Sequence, residues 1–169
     1  MIFETERLLV REWGEGDLHE LHNIYADEAI TEDIIPPLTL SETKQIFEDQ
    51  LSRYHHEPHT GRYFIINKAN NQYIGTFLLR KNDDNDAVEI GYALIKNEWG
   101  KGYATELVKQ GVDYVFSSTI FEVIHAYTNL PNFNSKKVLV KCGFTQQLNS
   151  IEFGDELNLF SIEKESSCN

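Results

Sequence analysis

One eight-residue stretch, Trp-Gly-Lys-Gly-Tyr-Ala-Thr-Glu at positions 99–106, constrains the fold of this chain more than any other. An apolar, strand-like run precedes it, and a run with apolar residues at helical spacing follows it. Gly100 and Gly102 allow a tight turn that points backbone N–H groups toward one spot, where the helix start adds the positive end of its dipole. The stretch therefore predicts an anion site, and a diphosphate suits free helix-terminal amides that act without a basic side chain.

The order of elements around this stretch predicts a mixed α/β fold of the α+β kind. Residues 87–95 and 123–128 are strand-like, and residues 103–116 between them form a helix-like run. A strand, a crossover helix and a strand give a parallel pair with a right-handed connection, whereas the upstream strands form an antiparallel meander. The other predicted elements are strands at 3–12, 62–67, 73–80, 151–153 and 157–162, and helices at 17–25, 41–54 and from Asn132 to Gly143.

Three residues carry local predictions about these elements. Asp17 and Ser41 are expected to cap the helices that follow them, because short polar side chains accept hydrogen bonds from the first free N–H groups. Gly75 lies inside a predicted strand, where glycine indicates a bulge or a close approach of another backbone segment.

The length of the chain indicates one domain over residues 1–169, long enough to bury about two-thirds of its unfolded surface. No apolar run reaches the roughly 20 residues of a membrane span, and the first residues lack a signal-peptide pattern. We therefore expect a cytoplasmic protein without a membrane segment. Cys142 and Cys168 form no disulfide framework, and the apolar context of Cys142 favours a small buried hydrophobe.

The formal net charge of −12 argues against nucleic-acid binding, which depends on neutralising phosphates with Lys and Arg. The charge is uneven: residues 87–144 contain six lysines against five acidic residues, about +1, which leaves about −13 on the rest. An anionic cofactor would meet the less acidic part, and the acidic part would attract a cationic amine. A negative surface that only aids solubility explains the same charges equally well.

The run from Val88 to Phe144 resembles the core of the Gcn5-related N-acetyltransferase (GNAT) family, whose pyrophosphate motif is Q/R-x-x-G-x-G/A. Gly102 and Ala104 match its two small positions, and Trp99 replaces the leading Gln or Arg. Three sequence patterns resemble the branch that includes the ribosomal-protein N-terminal acetyltransferases. They are Trp-Gly-x-Gly-Tyr-Ala-Thr, an opening Glu-Arg-Leu at 6–8 and a later Asp-Leu at 17–18. The resemblance implies a GNAT-like sheet whose parallel strand pair splays apart.

The resemblance also implies a cofactor, acetyl-CoA, whose pantetheine arm lies between the splayed strands. Backbone groups of Tyr92 and Leu94 would pair with that arm. Asn132, at the family's distance from a closing Gly-Phe, would bond the pantetheine amide, and the Ser135 hydroxyl would approach the cofactor. The diphosphate would be held by the amides of Gly100, Lys101, Gly102, Tyr103, Ala104 and Thr105.

The candidate catalytic residues follow the family pattern less closely than the cofactor motif does. Many family members carry a tyrosine four residues before the final glycine as the acid toward the thiolate, but this chain has Leu139 there. Ser135 or Tyr127 would then substitute; the alternatives are a helix cap for Ser135 and a half-buried strand aromatic for Tyr127. Glu89 is the candidate general base; the alternative is a strand glutamate that pairs with Arg80, Lys81 or a neighbouring hydroxyl on an exposed face.

The implied function is acetyl transfer from acetyl-CoA to a primary amine, a protein N-terminus or a small cationic amine, by direct attack in a ternary complex. A non-catalytic acyl-CoA-binding or regulatory module of the same fold stays open because of Leu139. Ile34, Ile35 and Leu38 would line the substrate mouth or form a hydrophobic plug. We expect a monomer or homodimer without a metal, since no ligand set accompanies the histidines at 19 and 22.

Overall fold

The computed structural model describes residues 1–28, 36–82, 87–152 and 155–165. A short 3₁₀ turn at Lys96–Glu98 precedes the glycine stretch. The described helices are α1 Leu18–Tyr25, α2 Leu40–Arg53, α3 Tyr103–Ser118 and α4 Phe133–Lys141. The described strands are β1 Phe3–Glu4, β2 Leu8–Arg11, β3 Gly61–Asn67, β4 Gln72–Lys81, β5 Ala87–Leu94, β6 Val123–Asn129, β7 Thr145–Gln146, β8 Ser150–Glu152 and β9 Asp155–Glu163.

Across these described ranges the strands form one mixed sheet in the order β1-β2-β3-β4-β5-β6-β9-β7, with β8 paired to β9. Every neighbouring pair is antiparallel except β5 and β6, which are parallel. The helix α3 connects these two strands, because a parallel pair needs a crossover rather than a hairpin. The fold class predicted from the order of elements is therefore confirmed.

Helices cover both faces of the sheet, and each face has its own apolar cluster. Apolar residues of α3 and Leu139 of α4 pack against one face, together with Phe77 and Ile90 of the central strands. On the opposite face, α1 and α2 pack against β3 through Leu21, Phe47 and Phe64. Because strand side chains alternate between faces, odd-numbered residues of β5 project toward α1 and α2, and even-numbered ones toward α3 and α4.

Two capping predictions are wrong, and both corrections follow from a better partner nearby. Asp17 makes no capping hydrogen bond to α1; its carboxylate instead pairs with Arg11 at 2.6 Å and accepts the Gly14 N–H. The cap of α2 is Thr39, not Ser41. Thr39 and Glu42 exchange hydrogen bonds as a capping box, which satisfies two free N–H groups at once.

The sheet corrects one predicted strand and adds one that was not predicted. The single strand predicted over 3–12 is a hairpin of β1 and β2, in which Phe3 pairs with Val10. The two-residue strand β7 had no sequence signal of its own. The bulge and close approach predicted at Gly75 are both confirmed. The β3–β4 register shifts beside it, and an added Cβ would stand 2.0 Å from the Ala93 carbonyl oxygen.

Some predictions concern residues outside the described ranges: Ile34, Ile35, the end of the strand at 153 and Cys168. Cys142 is half-buried against the α3 face, as predicted for a small hydrophobe. Leu38 packs against the α1 and α2 cluster, which favours the hydrophobic plug over the substrate mouth for this residue. None of the described helices is long and apolar enough to cross a membrane.

Candidate active site

The parallel strands β5 and β6 separate after a short paired stretch. Their register joins Ala87 to Val123, Val88 to Ile124 and Glu89 to His125, and it ends there although β5 continues to Leu94 and β6 to Asn129. The backbone edges of the two strands beyond Glu89 therefore face a gap. Tyr92 and Leu94 lie on this edge of β5, where the sequence predicted a splay.

A cleft of about 1400 Å³ runs through this gap and opens on both faces of the sheet. On the side of α3 and α4, its walls include the glycine stretch and much of α4. On the side of α1 and α2, its walls include Tyr25, Arg62, Arg80 and Glu89. One cavity thus connects two chemically different surfaces through the sheet.

The glycine stretch turns directly into α3 at the edge of the cleft. Gly100 and Gly102 have φ values of +75° and +82°, which residues with a Cβ rarely adopt. Gly102 is the N-cap residue of α3. Of the predicted anion-binding residues, all but Lys101 line the cleft. The Lys101 ammonium instead binds Glu98, with Nζ 3.0 Å from Oε1.

Arg7 holds this stretch from outside the predicted site. Its guanidinium pairs with Glu106 at 2.6 Å, donates to the Lys101 carbonyl at 3.0 Å and lies 4.4 Å from the centre of the Tyr103 ring. Glu106 also accepts the Arg7 backbone N–H at 2.9 Å and the Thr5 hydroxyl. Burial by itself would raise the pKa of Glu106, but the bonds from Thr5 and Arg7 outweigh it and lower that pKa.

Two hydroxyl groups meet on the α3 and α4 side of the gap. Tyr92 Oη lies 3.4 Å from Ser135 Oγ, and both residues line the cleft. Burial raises the pKa of Tyr92 while the bond with Ser135 opposes the rise, so this phenol keeps its proton at neutral pH. The family resemblance implied a role only for the backbone of Tyr92. The side chain could be identified only from its position in β5 and the packing of α4.

Ser135 is not a helix cap. The N-cap of α4 is Asn132, whose Oδ1 accepts the Ser135 N–H at 3.0 Å. This bond uses the side-chain oxygen that was expected to face the pantetheine amide, while Asn132 still lines the cleft. The Leu94 carbonyl is likewise engaged, since it accepts the Trp99 indole N–H at 2.7 Å.

Glu89 lies on the other face of the sheet. Its carboxylate pairs with the guanidinium of Arg80, the residue directly opposite it on β4, with Nε 3.0 Å from Oε2. His125 pairs with Glu89 across the two strands, so both side chains lie on the same face of the sheet. Tyr127 is two residues after His125 and therefore shares this face with Glu89. Ser135 and Tyr127, the two predicted substitutes for the missing tyrosine, therefore lie on opposite sides of the gap.

Comparison with known proteins identifies this arrangement. Residues 7–145 match the family model described as the acetyltransferase (GNAT) domain. The chain belongs to the GNAT acetyltransferase family. N-acetyltransferase p20 of Bacillus licheniformis is 32% identical over 146 residues, which cover 85% of this chain and 82% of that protein. The chain is therefore an acetyltransferase enzyme.

Two solved structures share the GNAT fold. The spermidine N-acetyltransferase of Vibrio cholerae, in complex with CoA and spermine, has a TM-score of 0.79 at 20% identity and covers 94% of this chain and 96% of its own. A ribosomal L7/L12 alpha-N-protein acetyltransferase, in complex with coenzyme A, has a TM-score of 0.82 at 16% identity, with 96% and 97% covered. At these identities the likeness concerns the fold.

Within this GNAT chain, Leu139 does not reach the cleft. Its side chain is fully buried in the core under the inner face of α4, whereas the neighbouring Val138 and Val140 line the cleft wall. The Tyr92 and Ser135 hydroxyls are among the polar groups of this wall. Lys136, Lys137 and Lys141 of α4 add positive charge to the same side.

Proposed function

We propose that this enzyme transfers the acetyl group of acetyl-CoA to a primary amine by direct attack in a ternary complex. The observation that carries the proposal is the gap beyond Glu89, which joins an amide-rich anion site to an acidic side chain through the sheet. Two neighbours of the same fold are described in complex with coenzyme A. An extended pantetheine arm suits this gap, because it can bond to exposed strand edges as an added strand does.

The cofactor would lie on the α3 and α4 side. The amides from Gly100 to Thr105 would bind the diphosphate at the helix start, while the α4 lysines offset the phosphate charge. The edge of β5 at Tyr92 and Leu94 would bond to the arm, although the Leu94 carbonyl already has a partner. Asn132, which lines the cleft, would contact the pantetheine amide.

The acceptor amine would enter from the α1 and α2 side. Its nitrogen lone pair attacks the thioester carbonyl carbon, so that a C–N bond forms and the C–S bond breaks. Glu89, directly or through water, takes the proton that the amine loses. The thiolate takes a proton on the opposite side of the gap, where Tyr92 with Ser135 is better placed than Tyr127.

The anion site can be tested by titrating coenzyme A into the protein and two glycine variants. Gly102→Val puts a Cβ on a residue with φ of +82° at the cleft edge and should weaken coenzyme A binding at least 10-fold. Gly16→Val is the matched control, because a Cβ there has open space around it. Equal affinity of both variants and the parent protein would contradict the assigned anion site.

Turnover can be tested by thiol release from acetyl-CoA with a panel of N-terminal peptides, polyamines and aminoglycosides. We expect release with at least one amine, dependent on both substrates. Tight coenzyme A binding without release across a broad amine panel would contradict the proposed reaction and favour a non-catalytic acyl-CoA-binding module.

A further inference from the structure

Arg62 is a cationic side chain on the acceptor side of the cleft. It lies on β3, is half-buried and lines the cavity on the same face as Glu89. Among the residues that the structure describes, no carboxylate lies within ion-pair distance of its guanidinium. The other cleft arginine, Arg80, is paired with Glu89. A half-buried guanidinium that faces a cavity without a carboxylate is suited to bind an anionic group of a ligand.

Tyr25 provides a second, independent observation at the same place. Its side chain is about 95% buried, it lines the cleft, and its hydroxyl has no hydrogen-bond partner within the described ranges. Burial raises the pKa of Tyr25, and nearby Arg62 opposes that rise through its positive charge and through a side-chain contact with the Tyr25 hydroxyl that falls outside hydrogen-bond geometry. A buried hydroxyl without a partner is uncommon, because it loses its hydrogen bonds to water without replacing them. A ligand oxygen between Tyr25 and Arg62 would satisfy both groups.

The sheet register sets the spacing between this corner and the general base. Arg62 is opposite Leu78, and Leu78 is opposite Gly91, two residues along β5 from Glu89. Two strand spacings across and two residues along separate the Cα atoms of Arg62 and Glu89 by about 12 Å. Both side chains project from the same face. One small molecule can therefore place an amine near Glu89 and an anionic group near Arg62.

We propose that the acceptor is an amine that also carries a carboxylate, which binds between Arg62 and Tyr25 while the amine lies near Glu89. The inference rests on the acetyl transfer proposed above and names its substrate class. A polyamine would place a second ammonium group beside Arg62, where like charges repel. The carboxylate can belong to a free aminoalkanoate or to an acidic side chain near a peptide N-terminus.

The test compares three five-carbon amines that differ at the far end: 5-aminopentanoate, pentylamine and cadaverine. Their binding to the protein saturated with coenzyme A is measured by calorimetry, together with aminoalkanoates one carbon shorter and longer. The peptide arm compares two peptides that differ by Asp or Lys at the second position. We expect the best carboxylate-bearing amine to bind at least 10-fold tighter than its diamine counterpart.

Three variants test which residues cause the preference for a carboxylate-bearing amine. Arg62→Met should remove it while leaving pentylamine binding unchanged, Arg62→Lys should restore part of it, and Tyr25→Phe should reduce it several-fold. Arg53→Met is the matched control, since Arg53 is exposed on α2 and does not line the cleft. Thermal melts of each variant verify folding.

Stronger binding of cadaverine, or an unchanged carboxylate preference in Arg62→Met, would overturn the inference. Thiol release with the same amines separates the two proposals. A carboxylate preference in binding without any release supports the subsite and contradicts the proposed reaction. Release with amines regardless of a carboxylate supports the reaction and overturns the subsite.

Discussion

Two arginine–glutamate pairs in this protein are alike in local geometry and differ in what they connect. The arginines Arg7 and Arg80 are 41% and 40% exposed, and their partners Glu106 and Glu89 are 20% and 11% exposed. The pair of Arg7 and Glu106 joins the N-terminal hairpin to the start of α3. The pair of Arg80 and Glu89 joins two strands that the β4–β5 ladder already holds together. The same contact therefore supports the fold in one place and leaves it nearly unaffected in the other.

The comparison also separates a carboxylate that lies away from the cavity from one that lines it. Glu106 receives hydrogen bonds from the Thr5 hydroxyl, the Arg7 backbone and the Arg7 guanidinium. Glu89 lines the cleft at the point where the parallel strands part. We therefore expect Glu106 to act on stability and Glu89 on chemistry.

The largest expected effect comes from removing the charge of Glu89. Glu89→Gln keeps the shape but cannot accept the amine proton, so kcat should fall about 100-fold. Coenzyme A affinity should stay within twofold, and the acid limb of the pH–rate profile should disappear. Steady-state kinetics across pH measures this, with Glu106→Gln as the control that keeps the profile. An unaltered profile in Glu89→Gln would remove Glu89 from the mechanism.

A smaller effect is expected for the hydroxyl on the opposite side of the gap. Tyr92→Phe should lower kcat about 10-fold. This is less than the loss expected on removing a typical general acid, because a thiolate is a good leaving group. Ser135→Ala should cost less, and Tyr127→Phe serves as the comparison from the Glu89 face. A larger loss in Tyr127→Phe than in Tyr92→Phe would assign the proton donor to Tyr127.

Next in size is the effect of Glu106→Gln on stability. It should lower the free energy of unfolding by about 1–2 kcal/mol, since charged hydrogen bonds are lost at a partly exposed site. Coenzyme A affinity should fall several-fold because the Arg7 contact to the glycine stretch loosens. Denaturant unfolding measures it against Glu4→Gln, whose pair with Lys68 is exposed. Equal losses in the two variants would contradict the anchoring role.

The smallest expected effect is a difference in acid stability. The pKa of Glu106 in the fold lies below its ordinary value of 4.5, so its bonds stabilise the protein above about pH 4.5. That contribution is lost as the pH falls through the lowered folded value. The parent protein should therefore lose more of its free energy of unfolding than Glu106→Gln over this window, measured by unfolding at stepped pH. Parallel acid curves would show that Glu106 does not titrate in this way.

The elements that line the α3 and α4 side of the cleft could be predicted because each is a short continuous segment of the chain. The glycine stretch, the helix after it and Asn132 before α4 occupy short windows, and local backbone rules apply within each window. The caps show the limit of such rules. Asp17 is a good N-cap residue by type, but Arg11 and the Gly14 N–H compete for the same carboxylate.

The acceptor side could not be predicted in this way. Tyr25, Arg62 and Glu89 come from α1, β3 and β5, and no periodicity relates them. Arg7 was visible as part of a typical Glu-Arg-Leu opening, but its partner is 99 positions away. Only the sheet register and the packing of α1 bring these groups to one cavity.

By itself the sequence determined the mixed sheet, the parallel crossover and the turn that opens α3, because hydrophobic period and glycine conformation act over a few neighbouring residues. The tertiary structure decided where the parallel strands part, which face each strand side chain occupies, and which charges remain for a ligand. These depend on contacts between distant segments, and in a strand a shift of one residue moves a side chain to the other face of the sheet.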